Sequence, residues 1–363
     1  MTPATYAVLN LEALQHNLAC VRQAAPNAKV MAVIKANAYG HGLLRVAAKL
    51  PNVDAFAVAR VDEAVRLRQA GFTQRIAVLE GFTCNEELQA LLRYDIEAVI
   101  HCPEQLAILN TYSAEQTLSV WLKHDSGMNR LGFKTATVLA AYQQLMACKA
   151  VKKPLQLMTH LANADNRQDA TTDKQIHLFN QTIAQFSGER SIANSAGILG
   201  WTEALSDWVR PGIMLYGVSP FAEQTAAQLG LKPVMSLHSQ LIAVKDITIG
   251  ESIGYSGRWV CEKTTRYGVV AIGYGDGYPR YAKTGTPVLV NGQRVPLIGR
   301  VSMDMITVDL GSQPHAKPGD PVILWGNGLA VEEIAAWSDT IPYTLLCGIT
   351  QRVQIVEQAE VKG

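Results

Sequence analysis

What this chain lacks narrows its class first. Its 32 lysines and arginines are balanced by 31 aspartates and glutamates, leaving a formal net charge of +1, and no segment is a basic run. Nucleic acid and anionic membrane therefore have no electrostatic support as principal partners. The six cysteines, at positions 20, 84, 102, 148, 261 and 347, form no close pair and no metal-ligand spacing. That pattern argues against a disulfide frame and against a bound metal, and for free thiols in a reducing compartment. No uninterrupted apolar segment approaches the length that spans a bilayer. The opening MTPATYAVLN has neither the basic region nor the long apolar run of a secretory signal. Short-period repeats and low-complexity tracts are missing too. A cytoplasmic location is the expectation.

What is present is a chain of 363 residues, 48% of them apolar, enough for a large core and longer than one domain usually is. Its first two-thirds alternates short apolar runs with amphipathic stretches. Eight candidate strands stand out: Lys29–Lys35, Asp54–Ala59, Arg75–Leu79, Glu97–His101, Leu118–Lys123, Leu155–His160, Ser191–Asn194 and Trp208–Met214. Between them, Asp62–Ala70 puts Ala64, Val65 and Leu67 near one face, and Asp173–Phe186 repeats Ile176, Phe179, Ile183 and Phe186 at helical spacing. Asn10 is placed to cap a helix beginning LEALQ. Parallel strands need such crossovers, so the pattern predicts a closed (β/α)8 TIM-like barrel, with a doubly wound open sheet as the alternative. After LKPVMSLHSQ the texture becomes β-rich, broken by NG, DG and PG turns, and the NG between VLV and QRV signals a hairpin. The boundary is expected near 231–235, giving a barrel over 1–233 and a mostly β domain over 234–363.

On such a barrel Lys35, Lys123, His160 and Ser195 fall at or just beyond the C-terminal ends of their strands, with Arg210 inside the last one. That end is where barrel active sites form, and the loops after strands seven and eight commonly take phosphate. Here those loops read NSAG and RPG. Ser195 offers a hydroxyl, and Gly212 and Ile213 offer backbone N–H groups. Lys35, where VMAVI gives way to KANAYGHG, has two readings: an amine snorkelling to water, or a desolvated amine able to form a Schiff base with an aldehyde. One ligand satisfying both the aldehyde and the phosphate requirement is pyridoxal 5'-phosphate.

At this point the motifs carry a resemblance. AVIKANAYGHG (32–42), LKHDSGMNRLG (122–132), THLANAD (159–165), NSAG (194–197), WVRPGIMLYG (208–217), ESIGYSG (251–257), GYGDGYPR (273–280) and GRVSMDM (299–305) run in order over nearly the whole chain. The sequence resembles the alanine racemase family, which joins a pyridoxal phosphate-binding barrel to a β domain. The resemblance implies that Lys35 is the Schiff-base lysine and one of two catalytic bases, with Tyr255 the second base on the opposite face of the substrate carbon. It implies that Tyr39, Ser195 and the amides of Gly212 and Ile213 hold phosphate. Arg210 would face the pyridine nitrogen, with His160 beside it and near Tyr255. Arg130 would meet the substrate carboxylate, oriented by Lys123, which some relatives carry as a carbamate. The Met303 amide would bind that carboxylate, with Asp304 alongside. Relatives are homodimers in which the tyrosine and the methionine enter from the partner's β domain.

Elementary chemistry agrees. Racemisation removes a proton from one face of Cα and replaces it from the other, so two bases on opposite sides are the economical arrangement. A lysine on a barrel strand does not easily serve both faces, and a β-domain tyrosine can serve the second. Tyrosine ordinarily titrates near 10, so it needs nearby cations or donors. Competing structural readings exist for single residues. Tyr255 also reads as a surface tyrosine between turn glycines, His160 as a packing histidine, and Lys123 as a partner of Asp125. GYGDGYPR has the wrong spacing for a nucleotide loop and reads as a turn. Where many relatives carry a tyrosine in the segment matching CGITQRV, this chain has Gln351. A broader small-amino-acid racemase, a catabolic alanine racemase, a pyridoxal phosphate decarboxylase and a non-catalytic binding protein are the alternatives to a racemase supplying D-alanine for peptidoglycan.

Overall fold

The computed structural model describes residues 4–112 and 116–358. They divide into two compact units, one of residues 17–215 and 220–223, the other of 216–219 and 224 onward together with the start of the chain through His16. The start joins the second unit because strand β1 (Tyr6–Leu9) pairs there with β10 (Met235–Ile247).

The first unit is a closed parallel barrel of eight strands. In chain order these are β2 (Lys29–Val33), β3 (Ala55–Val58), β4 (Arg75–Val78), β5 (Glu97–Ile100), β6 (Val120–Lys123), β7 (Gln156–Met158), β8 (Arg190–Ser191) and β9 (Trp208–Val209). The ring shuts through β2 and β9, where Lys29 lies opposite Trp208 and Val30 opposite Val209. Strands β3, β5 and β6 are buried along their whole length, as strands covered on both faces must be, which is why they read as continuous apolar runs rather than alternating ones. The helices between them bury one stripe each: Val61, Ala64 and Leu67 in the helix Val61–Gln69, and Ile176, Phe179 and Ile183 in the helix Thr171–Ile183. Phe186 is buried just past the end of the latter. The sequence reading overextended the last two strands. After Ser191 and Val209 the chain leaves the ladder to form site loops.

The N-terminal end of the barrel is plugged. Trp121 and Trp208 meet edge to face at 5.8 Å between ring centroids. Their indole N–H groups donate to Glu97 and Glu189, each at 2.7 Å. Arg75 donates twice to Glu97, at 2.5 and 3.0 Å, and Lys29 reaches Glu189 at 2.5 Å. Arg75 also lies 4.7 Å over the Trp208 ring. The floor is thus filled by a charge-balanced network, and the candidate site residues stand at the opposite, C-terminal mouth.

The second unit is built on β10. Along Leu237–Gln240 this strand pairs with β17 (Pro321–Trp325), and along Leu241–Ile247 with β13 (Thr265–Val270). Register shifts at 237/238 and 241/243 let one strand serve both neighbours. From β13 the ladder continues through β16 (Ile306–Asp309), β15 (Gln293–Ile298) and β14 (Pro287–Val290) back to β17, so a second ring closes. Asn291 (φ 50°) and Gly292 (φ 77°) make the tight turn between β14 and β15 that the NG dipeptide predicts. Strand β1 adds to β10 and carries β18 (Gln354–Glu357) in parallel at the edge, while β11 (Ser252–Ile253) and β12 (Trp259–Val260) form a separate ribbon. Asn10 accepts from the Ala13 N–H at 3.0 Å and caps the helix Leu11–Ala24, as expected. Among the described residues no helix is long and apolar enough to cross a membrane.

Candidate active site

Strand β2 delivers Lys35, half-buried, to the barrel mouth, and the chain then does something the sequence does not advertise. Ala36, Asn37, Ala38 and Tyr39 all take φ between 52° and 54°, a left-handed turn of four consecutive non-glycine residues. Each such residue costs roughly 1–2 kcal/mol, so the turn needs external support. Ala38 N–H donates to Ile34 at 2.9 Å, Gly40 N–H to Ala36 at 3.1 Å, and the Leu43 N–H to the Asn37 side chain at 2.9 Å. His41 closes it from below, its Nδ1 standing 2.9 Å from the Tyr39 carbonyl and 3.1 Å from that of Ala38. Burial pushes the His41 pKa down to about 4, so the ring stays neutral and donates from Nδ1. The turn sets the Tyr39 hydroxyl against Gly212, where an added Cβ would lie 2.6 Å from that oxygen. A larger residue there would displace the Tyr39 hydroxyl.

The phosphate candidates come together around Ser195. Asn194 caps the short helix Ser195–Gly200 through the Gly197 N–H at 2.9 Å. The Ser195 hydroxyl, 5% exposed, accepts from the Gly212 N–H at 2.9 Å and the Met214 N–H at 3.3 Å. The Gly212 amide is therefore engaged by Ser195 in this structure, and Ile213 opens the short helical turn that follows.

The remaining barrel candidates make a cationic mouth. Arg210 is buried and donates to the Ser191 hydroxyl at 2.5 Å and to the carbonyls of Thr159 and Ile192 at 2.6 and 3.2 Å. Burial lowers its pKa only to about 10. His160 Nδ1 lies 3.4 Å from the same guanidinium. Burial first, then the charges of Arg210, Lys123, Arg130 and Lys35, hold His160 well below the ordinary histidine range. Lys123, 8% exposed at the end of β6, is lowered to about 8 by burial and by Arg210, Arg130 and Lys35. The expected alternative, a Lys123–Asp125 pair, is not what forms. Asp125 instead takes Lys134 at 2.6 Å and the amides of Gly127 and Asn129 at 3.1 and 2.9 Å. Burial pushes its carboxyl up, but those donors outweigh it and hold it low. Asp125 thereby shapes the loop that carries the exposed Arg130. Among the described residues no carboxylate pairs with Lys123, Arg130 or Arg210.

In the second unit Tyr255 is 67% exposed, on a single helical turn entered through Gly254 at φ 76°. It borders a cavity of about 480 Å³ together with Arg300, Ser302 and Met305. Met303 is 52% exposed. Its carbonyl accepts the Gly275 N–H at 2.8 Å, and the Ser302 carbonyl accepts that of Tyr274 at 3.0 Å. GYGDGYPR is thus a clasp for the Met303 loop: a Cβ on Gly273 would lie 2.3 Å from the carbonyl oxygens of both Ser302 and Met303. Asp304 pairs with Arg352 at 2.8 Å, a residue the sequence reading passed over. Gln351 lies exposed in the turn just before it.

The residues present fit a phosphorylated aldehyde. Among the described residues Lys123, Arg130 and Arg210 lack a compensating anion at the mouth, and the hydroxyls of Ser195 and Tyr39 gather beside Gly212. The fold and site define a barrel-and-sheet protein with a strand-end amine and a cationic mouth at the C-terminal end of its barrel. The comparisons make this specific. Residues 9–220 match the alanine racemase N-terminal domain and residues 234–357 the alanine racemase C-terminal domain. The chain is 51% identical over 352 residues to an alanine racemase of Vibrio cholerae, covering 97% of this chain and 98% of that one. It is 51% identical to the biosynthetic alanine racemase of Escherichia coli K12 over 96% of this chain and 98% of the relative. Among solved structures it is similar to the biosynthetic alanine racemase of Pseudomonas aeruginosa, with a TM-score of 0.96 and 43% identity over 99% and 100% of the two chains. It also resembles an alanine racemase from Bartonella henselae with covalently bound pyridoxal phosphate, with a TM-score of 0.88 and 27% identity over 98% and 100%. The chain belongs to the alanine racemase family.

Proposed function

We propose that this chain interconverts L- and D-alanine with pyridoxal 5'-phosphate, Lys35 and Tyr255 serving opposite faces of Cα. The observation that carries the reading is the gathering of Lys35, Lys123, Arg130 and Arg210 within electrostatic reach of one histidine at the mouth of the barrel. Such a mouth favours a ligand bearing both phosphate and carboxylate. Held by Lys35, the cofactor would supply an electrophilic carbon that exchanges the lysine amine for the substrate amine, and a conjugated ring that acidifies Cα. Tyr39, Ser195 and the amides of Gly212 and Ile213 would hold its phosphate. Arg210, which stays protonated and carries donors only, would stand by the ring nitrogen and disfavour its protonation. That would weaken the electron sink, with fewer side reactions and a higher barrier to proton removal.

His160 takes its hydrogen bond from Arg210 at Nδ1, which puts its own proton on Nε2. That N–H is the group we assign to orienting Tyr255. Arg130 would hold the substrate carboxylate, with Lys123 orienting it. With a pKa near 8, Lys123 has an appreciable neutral fraction near neutral pH, and that form can add carbon dioxide and release a proton to give a carbamate. The exposure of Tyr255 and Met303 fits delivery by the second unit of another copy, making the working form a cytoplasmic homodimer that supplies D-alanine for peptidoglycan. The test is chiral chromatography of a panel of amino acids incubated with the cofactor-loaded protein. Alanine should approach an equal mixture from either enantiomer, faster than serine or larger side chains. No interconversion of alanine overturns the proposal, and a faster larger substrate overturns its specificity.

A further inference from the structure

We infer that Arg352 is a positioning residue for substrate carboxylate binding, acting through the Met303 loop; this rests on the proposed role of the Met303 amide. Arg352 lies at the crossing of three short segments of the second unit. Its NH2 group donates to Asp304 Oδ1 at 2.8 Å, and its Nε lies 3.2 Å from Asp276 Oδ1. Asp276 is 5% exposed, and its other oxygen accepts the Gly273 N–H at 2.9 Å. One guanidinium thus joins the residue after Met303 to the buried carboxylate that shapes the glycine clasp.

The backbone around it is tied in the same sense. The Thr350 hydroxyl donates to the Gly275 carbonyl at 2.9 Å, and the Thr350 N–H to the Asp276 carbonyl at 3.2 Å. The guanidinium lies close to Gly275: a Cβ there would meet Arg352 NH1 at 2.4 Å and the Met303 carbonyl oxygen and side chain at 3.0 and 3.3 Å. The Met303 carbonyl is held by Gly275, while among the described residues nothing accepts its N–H. An N–H on a loop pinned by its own carbonyl on one side and by the Asp304–Arg352 pair on the other is aimed rather than mobile. Arginine suits this task where lysine does not, because two carboxylates on different segments need two donors at a fixed angle. The Arg352 side chain is half exposed, so its role is not to fill the core.

The experiment compares Arg352→Met, Arg352→Lys and Asp304→Asn with the parent, all cofactor-loaded. It reads KM and kcat for both alanine enantiomers, and calorimetric binding of propionate, which keeps the carboxylate and methyl of alanine without its amine. Arg352→Met should raise both KM values and the propionate Kd together by about tenfold, the loss of one aimed hydrogen bond, with a smaller change in kcat. Lysine should recover part of this. Adding Asp304→Asn to Arg352→Met should bring no further loss. If Arg352→Met fails to fold, Asp304→Asn keeps the Asp276 pair and reports alone. Unchanged KM and propionate affinity in the folded variants overturns the assignment, as does a fall in kcat alone. An inactive parent would overturn the proposed function instead, with propionate affinity still deciding the role of Arg352.

Discussion

The two ends of the barrel hold similar side chains in opposite electrostatic conditions. At the floor, Arg75 and Lys29 meet Glu97 and Glu189, and both tryptophan N–H groups are satisfied by the same carboxylates. At the mouth, among the described residues, no carboxylate pairs with Lys123, Arg130 or Arg210, and the nearby Asp125 is committed to Lys134 and loop amides. A balanced network fixes a structure. An unbalanced one is a standing demand for a ligand, and it costs stability until that ligand arrives.

The comparison can be broken from either end. The largest effect belongs to Lys35→Ala, which should lower racemisation by about 10⁴-fold or more while leaving the melting temperature of the unloaded protein near that of the parent. Removing a floor carboxylate should do the reverse. Glu97→Ala leaves the buried Trp121 N–H unpaired and takes from Arg75 the nearer of its two carboxylates, and should cost about 1–3 kcal/mol in denaturant unfolding, with activity per folded molecule retained.

Acid sharpens the contrast. His41 is held at about 4 against an unperturbed 6.5, so the unfolded chain binds the proton first. Its contribution is present above pH 6.5 and is lost progressively as pH falls towards 4, about 3 kcal/mol for this residue. At the floor, burial pushes Glu189 up, but Lys29 and Trp208 outweigh it and hold the carboxyl low. His41 should therefore yield before Glu189, and hydrogen exchange between pH 6.5 and 4 should open the turn at 36–41 before β8. Next in size, Tyr255→Phe should slow turnover about 10²-fold and affect solvent isotope exchange from the two enantiomers unequally. Equal, unimpaired exchange would reject Tyr255 as a base. The smallest effect is expected of Lys123→Met: a gain of about 1 kcal/mol in the unloaded protein from removing an unpaired buried charge, together with weaker propionate binding.

Much of this was legible in the sequence, for definable reasons. Buried parallel strands are uniform apolar runs, so β2 to β7 could be located to within a residue or two, and their ends placed Lys35, Lys123 and His160. NG at 291–292 has one easy backbone solution, and it forms. Less legible was anything set by contact across sequence. Nothing local marks Ala36–Ala38 as left-handed, since alanine disfavours that conformation and the support comes from His41. Asp125 looked available to Lys123, but the choice of Lys134 depends on how the loop folds back through Phe133. GYGDGYPR was readable as a turn, while its purpose, holding the Met303 loop by close backbone approach, required knowing what lies above Gly273 and Gly275. Arg352 had no motif to flag it.

The left-handed turn has one more implication. Over four residues the chain beside Lys35 runs with the hand natural to a D-peptide. Replacing Ala36 with D-alanine by semisynthesis should therefore tighten the protein, where the same exchange in an ordinary helix would unravel it. An enzyme proposed to be indifferent to the hand of its substrate carries, next to its own lysine, a short stretch of backbone with the opposite preference from the rest of the molecule.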